Sequence, residues 1–370
     1  DPGPLGPGVV AEVVSAGRHL EVKAFGGSAR RLRPRLAGQQ LVLAGRLSPP
    51  TGATAGWLRS RHIVGVVEVT SVSFAGDGSA LARSANRARQ VLDRGARTMD
   101  PRDRSLYLGF VIGDDRAQSE AMIAAFRAAG LSHLTAVSGQ NVALLLAVAG
   151  PGLRRLRHTT RWAVTLALIG WFALLTRFEP SVIRASVMAA LVASAVVGGR
   201  RAAPARILGL TVTMVLLVDP LLVHSVGWWL SVGATTGIAL AGPPLALRLP
   251  GPQAVRTALA VTIGAQLGVA PVSIAVFGPL PLASVPANLM AAPLAGPVMI
   301  YGLPAGVLAA GAPDGLAWLI QLPTVLLVRA IAGIASSASS WPLPGLGLPA
   351  VLAAGLGVAL LLRRPPRHRR

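Results

Sequence analysis

Residues 130–150 read GLSHLTAVSGQNVALLLAVAG, a stretch that contains no charged side chain. A helix that crosses a bilayer needs about 20 consecutive, mostly apolar residues, so this stretch is long enough to span one. Similar apolar stretches follow along the chain at about 162–176, 181–198, 207–223, 227–247, 257–277, 284–311, 315–335 and 346–362. Together with 131–150 they predict a polytopic α-helical membrane protein with about nine spans.

The composition of the whole chain agrees with a membrane protein and excludes an ordinary soluble enzyme. Of its 370 residues 52% are hydrophobic and 13% are charged, whereas a soluble domain carries about 25% charged residues. The chain has no cysteine, which excludes disulfides, thiolate catalysis and cysteine-bound zinc. The histidines show no metal-ligand spacing and no phosphate-binding glycine loop is present, so we expect no catalytic residue, metal or cofactor.

Positive charge is concentrated in particular loops. The formal net charge is +21, and the only acids after residue 130 are Glu179, Asp219 and Asp314. With nine spans, the arginine-rich segments at 154–161, 200–206, 248–256 and 363–370 all fall on the same side of the membrane. Because loops rich in Lys and Arg stay in the cytoplasm, we expect an inner-membrane protein with a cytoplasmic basic tail and an extracytoplasmic N-terminal domain.

The N-terminal part of the chain has the pattern of a β-domain. Short segments that alternate apolar and polar residues, or are rich in Val and Ile, occur at 9–15, 19–25, 39–47 and 62–74, with turn sequences between them. They predict a small β-barrel of the OB type, although spacing alone does not separate it from other small barrels. The predicted domains are an OB-like domain at 1–78, a helical connector with an interfacial amphipathic helix at 79–130, the transmembrane domain at 131–362, and the basic tail at 363–370.

Basic residues of this β-domain form the first candidate site. Arginine interleaved with an aromatic ring is typical of a platform for single-stranded nucleic acid, in which guanidinium groups bind phosphates and rings stack on bases. The alternative is a solvated basic loop near acidic lipid headgroups. The candidate residues are Arg31, Arg33, Arg35, Arg46, Trp57, Arg59 and Arg61.

Polar residues within the predicted spans form the second candidate site, because such groups are costly in lipid and often functional. His133, Ser138, Gly139 and Asn141 lie in the first span. The alternative is that such groups only bond helices to each other. For Arg184 we expect snorkelling, pairing with Glu179 or Asp219, or exposure to a water-filled path. The stretch 284–311 contains Pro286, Pro293 and Pro304, which favours a broken or re-entrant helix.

Several of these residues lie in ordered motifs that resemble those of the ComEC competence proteins. Gly130–Val142, GLSHLTAVSGQNV, is similar to the signature of that family, which usually reads close to G-L-x-H-L-L-A-V-S-G-x-H/N-V. Further similar segments follow in the family's order: Pro180–Met188, Asp219-Pro220 with Gly227–Ser231, and Val285–Asn288.

The resemblance implies an inner-membrane channel that admits single-stranded DNA during natural transformation. It also implies membrane lipids, a DNA receptor and a cytoplasmic ATP-driven motor as partners, and it leaves open whether the pore lies in one protomer or in a homodimer. Many relatives carry a metallo-β-lactamase-like nuclease domain, which we do not expect in this sequence, so we expect no enzyme activity. The positions that match the family are His133, Ser138, Gly139, Asn141, Ser181, Arg184, Asp219, Ser231 and Asn288.

Two functions of other classes remain open at this point. A small-anion transporter would predict internal repeats, and no convincing repeat is visible. An intramembrane serine protease would use Ser138 with His224 as a dyad. Against it, Ala136 occupies the position where the usual protease motif has glycine, and no oxyanion donors can be named.

Overall fold

The structure, a computed structural model, divides into two compact units. The first comprises Asp1–Ala88 with Leu216–Ser225, and the second comprises Arg89–Val215 with Val226–Arg370. Trp57, Arg59 and the tail at 363–370 lie outside the described residues. The structure describes residues 8–51, 55, 58, 61–135, 138–200, 203–341, 344–347, 349–350, 353 and 355–357.

The first unit contains a four-stranded sheet with the strand order β1-β2-β4-β3. The β1–β2 and β3–β4 pairs are antiparallel, and β2 runs parallel to β4. A tight turn with positive φ at Ala16 and Gly17 joins β1 to β2, as expected for a two-residue hairpin. The elements are β1 (Val9–Ser15), β2 (Arg18–Ala24), α1 (Gly26–Leu32), β3 (Gln40–Ser48) and β4 (Ile63–Gly76).

One face of this sheet packs on α1. Val22, Ala24 and Val69 project from the sheet against Ala29 and Leu32 of the helix and form a small hydrophobic core. Because side chains alternate along a strand, their neighbours Glu21, Lys23 and Glu68 lie on the opposite face, where Lys23 Nζ is 3.4 Å from Glu21 Oε1. The sheet therefore has one apolar face and one charged face.

The second unit is helical. Within the described part of the chain, five of its helices are long and apolar enough to cross a membrane: α8, α10, α11, α12 and α13. Two shorter apolar helices, α6 and α9, accompany them. The helices are α2 (Ala80–Gly95, which begins in the first unit), α3 (Pro101–Ile112), α4 (Glu120–Ala128), α5 (Ser132–Thr135), α6 (Gly139–Leu153), α7 (His158–Leu175), α8 (Pro180–Val197), α9 (Pro204–Val218), α10 (Val226–Arg248), α11 (Gln253–Phe277), α12 (Ser284–Ala310) and α13 (Asp314–Ser339).

Helix α3 is buried, which the sequence did not indicate. Leu106, Tyr107 and Val111 have no exposed surface, and the helix packs against α12 and α13. The Tyr107 hydroxyl donates to the Gly302 carbonyl on α12 at 2.9 Å. The Arg329 guanidinium on α13 pairs with the buried Asp103 carboxylate of α3 at 2.7 Å. A central part of the predicted connector thus belongs to the core of the helical unit.

Arg89 in the second half of α2 is a second buried charged residue of the helical unit. Its guanidinium donates to the Leu175 carbonyl, one of the carbonyls left free at the C-terminus of α7. Burial and then the nearby Arg177 charge lower the pKa of Arg89 to about 10. A cation at the C-terminus of a helix is favourable because it opposes the negative end of the helix dipole. Arg89 therefore fastens α2 to α7.

The stretch 284–311 forms one continuous helix, so the predicted break is wrong. Pro286 lies in the first turn of α12, where its missing N–H would have had no acceptor within the helix. Pro293, Pro297 and Pro304 lie inside the helix. Membrane helices tolerate interior prolines when neighbouring groups compensate for the lost backbone hydrogen bonds.

Helices α10 and α11 approach each other along two pairs of glycines. A Cβ added to Gly237 would lie 2.0 Å from the Gly264 carbonyl oxygen, and one added to Gly233 would lie 2.4 Å from the Gly268 carbonyl oxygen. The glycines are spaced four residues apart on each helix, which is the small-residue pattern that allows membrane helices to pack backbone against backbone.

Candidate functional site

Arg184 is the centre of the site in the helical unit. It lies one turn into α8, which begins at Pro180, a residue suited to the first position of a helix. Its side chain is buried; Nε donates to the Ser231 hydroxyl on α10 at 2.8 Å, and Nη1 is 3.1 Å from Met188 Sδ. Among the described residues no carboxylate forms an ion pair with Arg184, so of the three alternatives for this residue, pairing with Glu179 or Asp219 is not observed.

Gly139, the first residue of α6, lies directly against Arg184. A Cβ at this position would be 2.7 Å from Arg184 Nη2, 2.9 Å from Ala185 Cβ and 3.3 Å from the Ser181 carbonyl oxygen. Any other residue would displace the guanidinium or separate α6 from α8. The structure thus brings together Gly139, Ser181, Arg184 and Ser231, which are far apart in the sequence.

Ser138 and Asn141 hold the beginning of α6 in place. The Ser138 hydroxyl donates to Asn141 Oδ1 at 3.3 Å, and Asn141 Nδ2 donates to the Phe110 carbonyl of α3 at 2.9 Å. Asn141 is buried, so its amide links α6 to the core helix α3. The Ser138 hydroxyl therefore contacts an amide, and within the described residues no histidine bonds to it as a serine protease dyad would require.

A second cluster of polar groups lies at the start of α12. Asn288 Nδ2 donates to the Ser284 carbonyl at 2.7 Å and to the Gly130 carbonyl at 3.3 Å. Gly130 has a φ of +67°, and a Cβ there would lie 2.4 Å from Ser284 Cβ. Gln266 on α11 reaches the Ser284 hydroxyl at 3.4 Å. His133 is exposed on the short helix α5.

Asp219 belongs to the first unit, whereas the groups around Arg184 and Asn288 belong to the second. It begins a short 3₁₀-helix, Pro220–His224, and its carboxylate accepts from the Leu221 backbone N–H at 3.1 Å. The same carboxylate is 3.0 Å from His62 Nε2. The nine positions that match the family motifs are therefore distributed over more than one place in the molecule.

The basic residues of the first unit divide between the two faces of the sheet. Arg31 and Arg33 are exposed at the end of α1, and the Arg35 guanidinium lies 5.0 Å from the centre of the Phe74 ring, a cation–π distance. On the opposite face, Arg61 pairs with Glu12 at 3.2 Å, and Arg46 stands across from Glu68 in the β3–β4 register. Among these described arginines, the ion pair between Arg61 and Glu12 thus lies on the face opposite α1.

Some residues of the site could not be found from sequence reasoning. Met188, Phe110 and Ser284 supply contacts, and none of them differs in sequence from ordinary apolar or small residues of a span. The spacing of Ser181, Arg184 and Met188 by three and four residues, which places them on one helix face, was the available signal. Among the described residues no group of three or more His, Asp or Glu side chains is arranged to hold a metal ion.

Long apolar helices with a buried arginine and polar side chains between them define an integral membrane protein. The chain belongs to the competence protein family, because the family model described as "Competence protein" matches residues 110–366. The resemblance seen in the motifs is thereby confirmed.

The chain is also similar to a curated protein. The chain is 26% identical over 285 residues to "ComE operon protein 3" of Bacillus subtilis (strain 168), an alignment that covers 73% of this chain and 36% of that protein. The matched part of the chain thus spans about a third of the length of its relative. No solved structure matches the chain.

Proposed function

We propose that this chain forms the channel through which single-stranded DNA crosses the inner membrane during natural transformation. The observation that carries the proposal is the buried Arg184, which has hydroxyl and thioether neighbours and no carboxylate among the described residues. A buried cation without a counter-ion is costly, especially in a membrane. The phosphates of a passing strand would supply the missing negative charge.

The first unit supports a role in collecting the strand. Its strand order, with β2 parallel to β4 and a helix between β2 and β3, is that of the last four strands of an OB barrel, and we propose an OB-like fold on this basis. The exposed Arg31 and Arg33, with Arg35 over Phe74, offer positive charge beside an aromatic ring. These are the two features of a surface for single-stranded nucleic acid.

The proposed topology has nine spans, an extracytoplasmic first unit and a cytoplasmic C-terminus. It adds α6, α7, α9 and the stretch 346–362 to the five long helices. At about 1.5 Å per residue the two 15-residue helices, α6 and α9, are shorter than the hydrocarbon core, so the bilayer would thin around them. With nine spans, the arginine-rich loops all fall on the same side of the membrane, which we propose is the cytoplasmic side.

The 370 residues contain no phosphate-binding glycine loop, and we propose that a partner supplies the energy for transport. We propose a cytoplasmic ATP-driven motor that pulls the strand and a receptor that delivers it, with the channel formed by one chain or by a homodimer in membrane lipids.

The proposal predicts where DNA stops when the gene is inactivated in a naturally transformable host. Labelled DNA should still bind to the cell surface, whereas the label protected from added nuclease should fall at least about 100-fold, because a polyanion cannot cross lipid without a channel. Reintroducing the gene should restore protection. If the label becomes protected in the inactivated strain, the chain is not the channel, and loss of phosphate uptake instead of DNA uptake would favour a small-anion transporter.

If Arg31, Arg33 and Arg35 collect the strand, variants on the two faces of the sheet should differ in their affinity for single-stranded DNA. Replacing Arg31, Arg33 and Arg35 with glutamine should weaken binding of a dT oligonucleotide to the full chain in nanodiscs about tenfold or more at low salt. The slope of log affinity against log salt should also become less steep, because fewer phosphates are neutralised. Binding is measured by fluorescence anisotropy.

The matched control is the double replacement of Arg46 and Arg61 with glutamine, since both residues stand beside acids on the opposite face. It should change the affinity by less than about threefold, because a carboxylate near each arginine offsets part of its attraction for a polyanion. Equal losses in the triple and the double variant would show that the α1 side is not the binding surface.

A further inference from the structure

Two histidine–carboxylate pairs meet on the charged face of the sheet. His62 Nε2 is 3.0 Å from Asp219 Oδ1, and His19 Nδ1 is 2.7 Å from Glu12 Oε1. The two imidazole rings are 6.1 Å apart, and Arg61 pairs with the second oxygen of Glu12 at 3.2 Å. All five side chains belong to the first unit and are partly exposed to solvent.

The backbone around His62 is held in an unusual conformation to make this contact. His62 has a φ of +61°, which is uncommon for a residue other than glycine and costs free energy. It directly precedes β4, while its partner Asp219 is 157 positions further along the chain, at the start of the 3₁₀-helix Pro220–His224. The pair therefore fixes the segment Leu216–Ser225 to the unit that contains the sheet.

We propose that His62 and Asp219 form a protonation-controlled clamp on the segment Leu216–Ser225, with His19 and Glu12 as a second pair that reinforces it. When an imidazole is neutral, each contact is a hydrogen bond to a carboxylate. When it takes up a proton, the coulombic attraction between two opposite charges is added to that hydrogen bond. The clamp is therefore tighter when the imidazoles carry a proton than when they are neutral.

The charged groups near the two histidine–carboxylate pairs do not reverse this effect of protonation. Arg61 and the second imidazole add positive charge, and the carboxylates of Glu12 and Asp219 oppose it. Each protonated ring keeps its own carboxylate within hydrogen-bond distance, so repulsion between rings 6.1 Å apart in solvent is the smaller effect. The other charged or titratable groups of this face and of the clamped segment are Glu21, Lys23, Arg46, Glu68 and His224.

The clamp assigns a positioning role to Asp219, a residue that matches a family motif and belongs to the first unit. The clamped segment joins α9 to α10, and α10 carries Ser231, the hydrogen-bond partner of Arg184. Acidification outside the cell would thus act on the chain just before α10, the helix that carries Ser231. The clamp itself does not depend on the passage of DNA, so its failure and that of the proposed channel are distinguishable.

Hydrogen exchange of the full chain in nanodiscs tests the clamp. After correction for the intrinsic effect of pH, protection of backbone amides in 216–225 should rise about tenfold between pH 8.0 and pH 5.5. The increase should disappear in His62→Gln and Asp219→Asn. It should persist in Asp219→Glu, which restores the carboxylate, and in His158→Gln, which changes a histidine on α7.

The variants could disturb the sheet itself, so exchange of the β1 and β2 amides is followed in the same samples. Unchanged protection there, with loss of the pH effect at 216–225, supports the clamp. Protection at 216–225 that is independent of pH in the unmodified chain would overturn it, as would an equal pH effect in His62→Gln.

Discussion

Replacing Arg184 with glutamate should lower transformation at least about 100-fold. The change introduces a carboxylate where the structure has a buried guanidinium bonded to Ser231, and it leaves an uncompensated charge in the helical unit. A negative charge on the proposed path would also repel each passing phosphate. The measurement is the number of transformants per recipient cell, with the amount of membrane-inserted protein determined in parallel.

Three further variants separate charge from geometry at this position. Arg184→Lys keeps the charge but cannot reproduce the planar guanidinium and its Nε contact, so we expect an intermediate loss. Ser231→Ala removes only the hydroxyl partner and should cost less. Arg154→Glu, at the exposed end of α6, is the matched control and should transform nearly as well as the unmodified chain. Wild-type transformation by Arg184→Glu would exclude this residue from the path.

Replacing Gly237 or Gly264 with leucine should destabilise the helical unit by about 3 kcal/mol or more, since each added side chain meets backbone. A Cβ at Gly264 would lie 2.8 Å from the Gly237 carbonyl oxygen, so α10 and α11 would have to separate. Ser231, the Arg184 partner, lies on α10 within two turns of Gly237. We expect a lower thermal unfolding temperature of the purified protein and a loss of transformation.

Gly296→Leu is the control for this prediction. Gly296 lies inside α12, another long apolar helix, and nothing lies within 4 Å of a Cβ added there. Leucine favours a helix more than glycine does, so the control should be neutral or slightly stabilising. If Gly264→Leu and Gly296→Leu unfold at the same temperature, close packing of α10 on α11 is not important for stability.

Apolar stretches predicted the long helices closely. The stretches at 181–198 and 284–311 correspond to α8 and α12 within about one residue, because prolines and glycines at their ends stop the apolar pattern. The continuity of α12 was not predictable. Whether an interior proline breaks a helix depends on neighbouring groups that satisfy its backbone, and these belong to other parts of the chain.

The sequence by itself determined the family, the membrane class and the residues worth testing, because hydrophobic length and ordered motifs are local properties. Tertiary structure alone decided how those residues group. It placed Arg184 against Gly139 and Ser231, and it paired Asp219 with His62, the residue that precedes β4. It also buried α3 against other helices. The physical reason is that burial and hydrogen bonding depend on distances between distant segments, which packing fixes and which no local pattern of residues records.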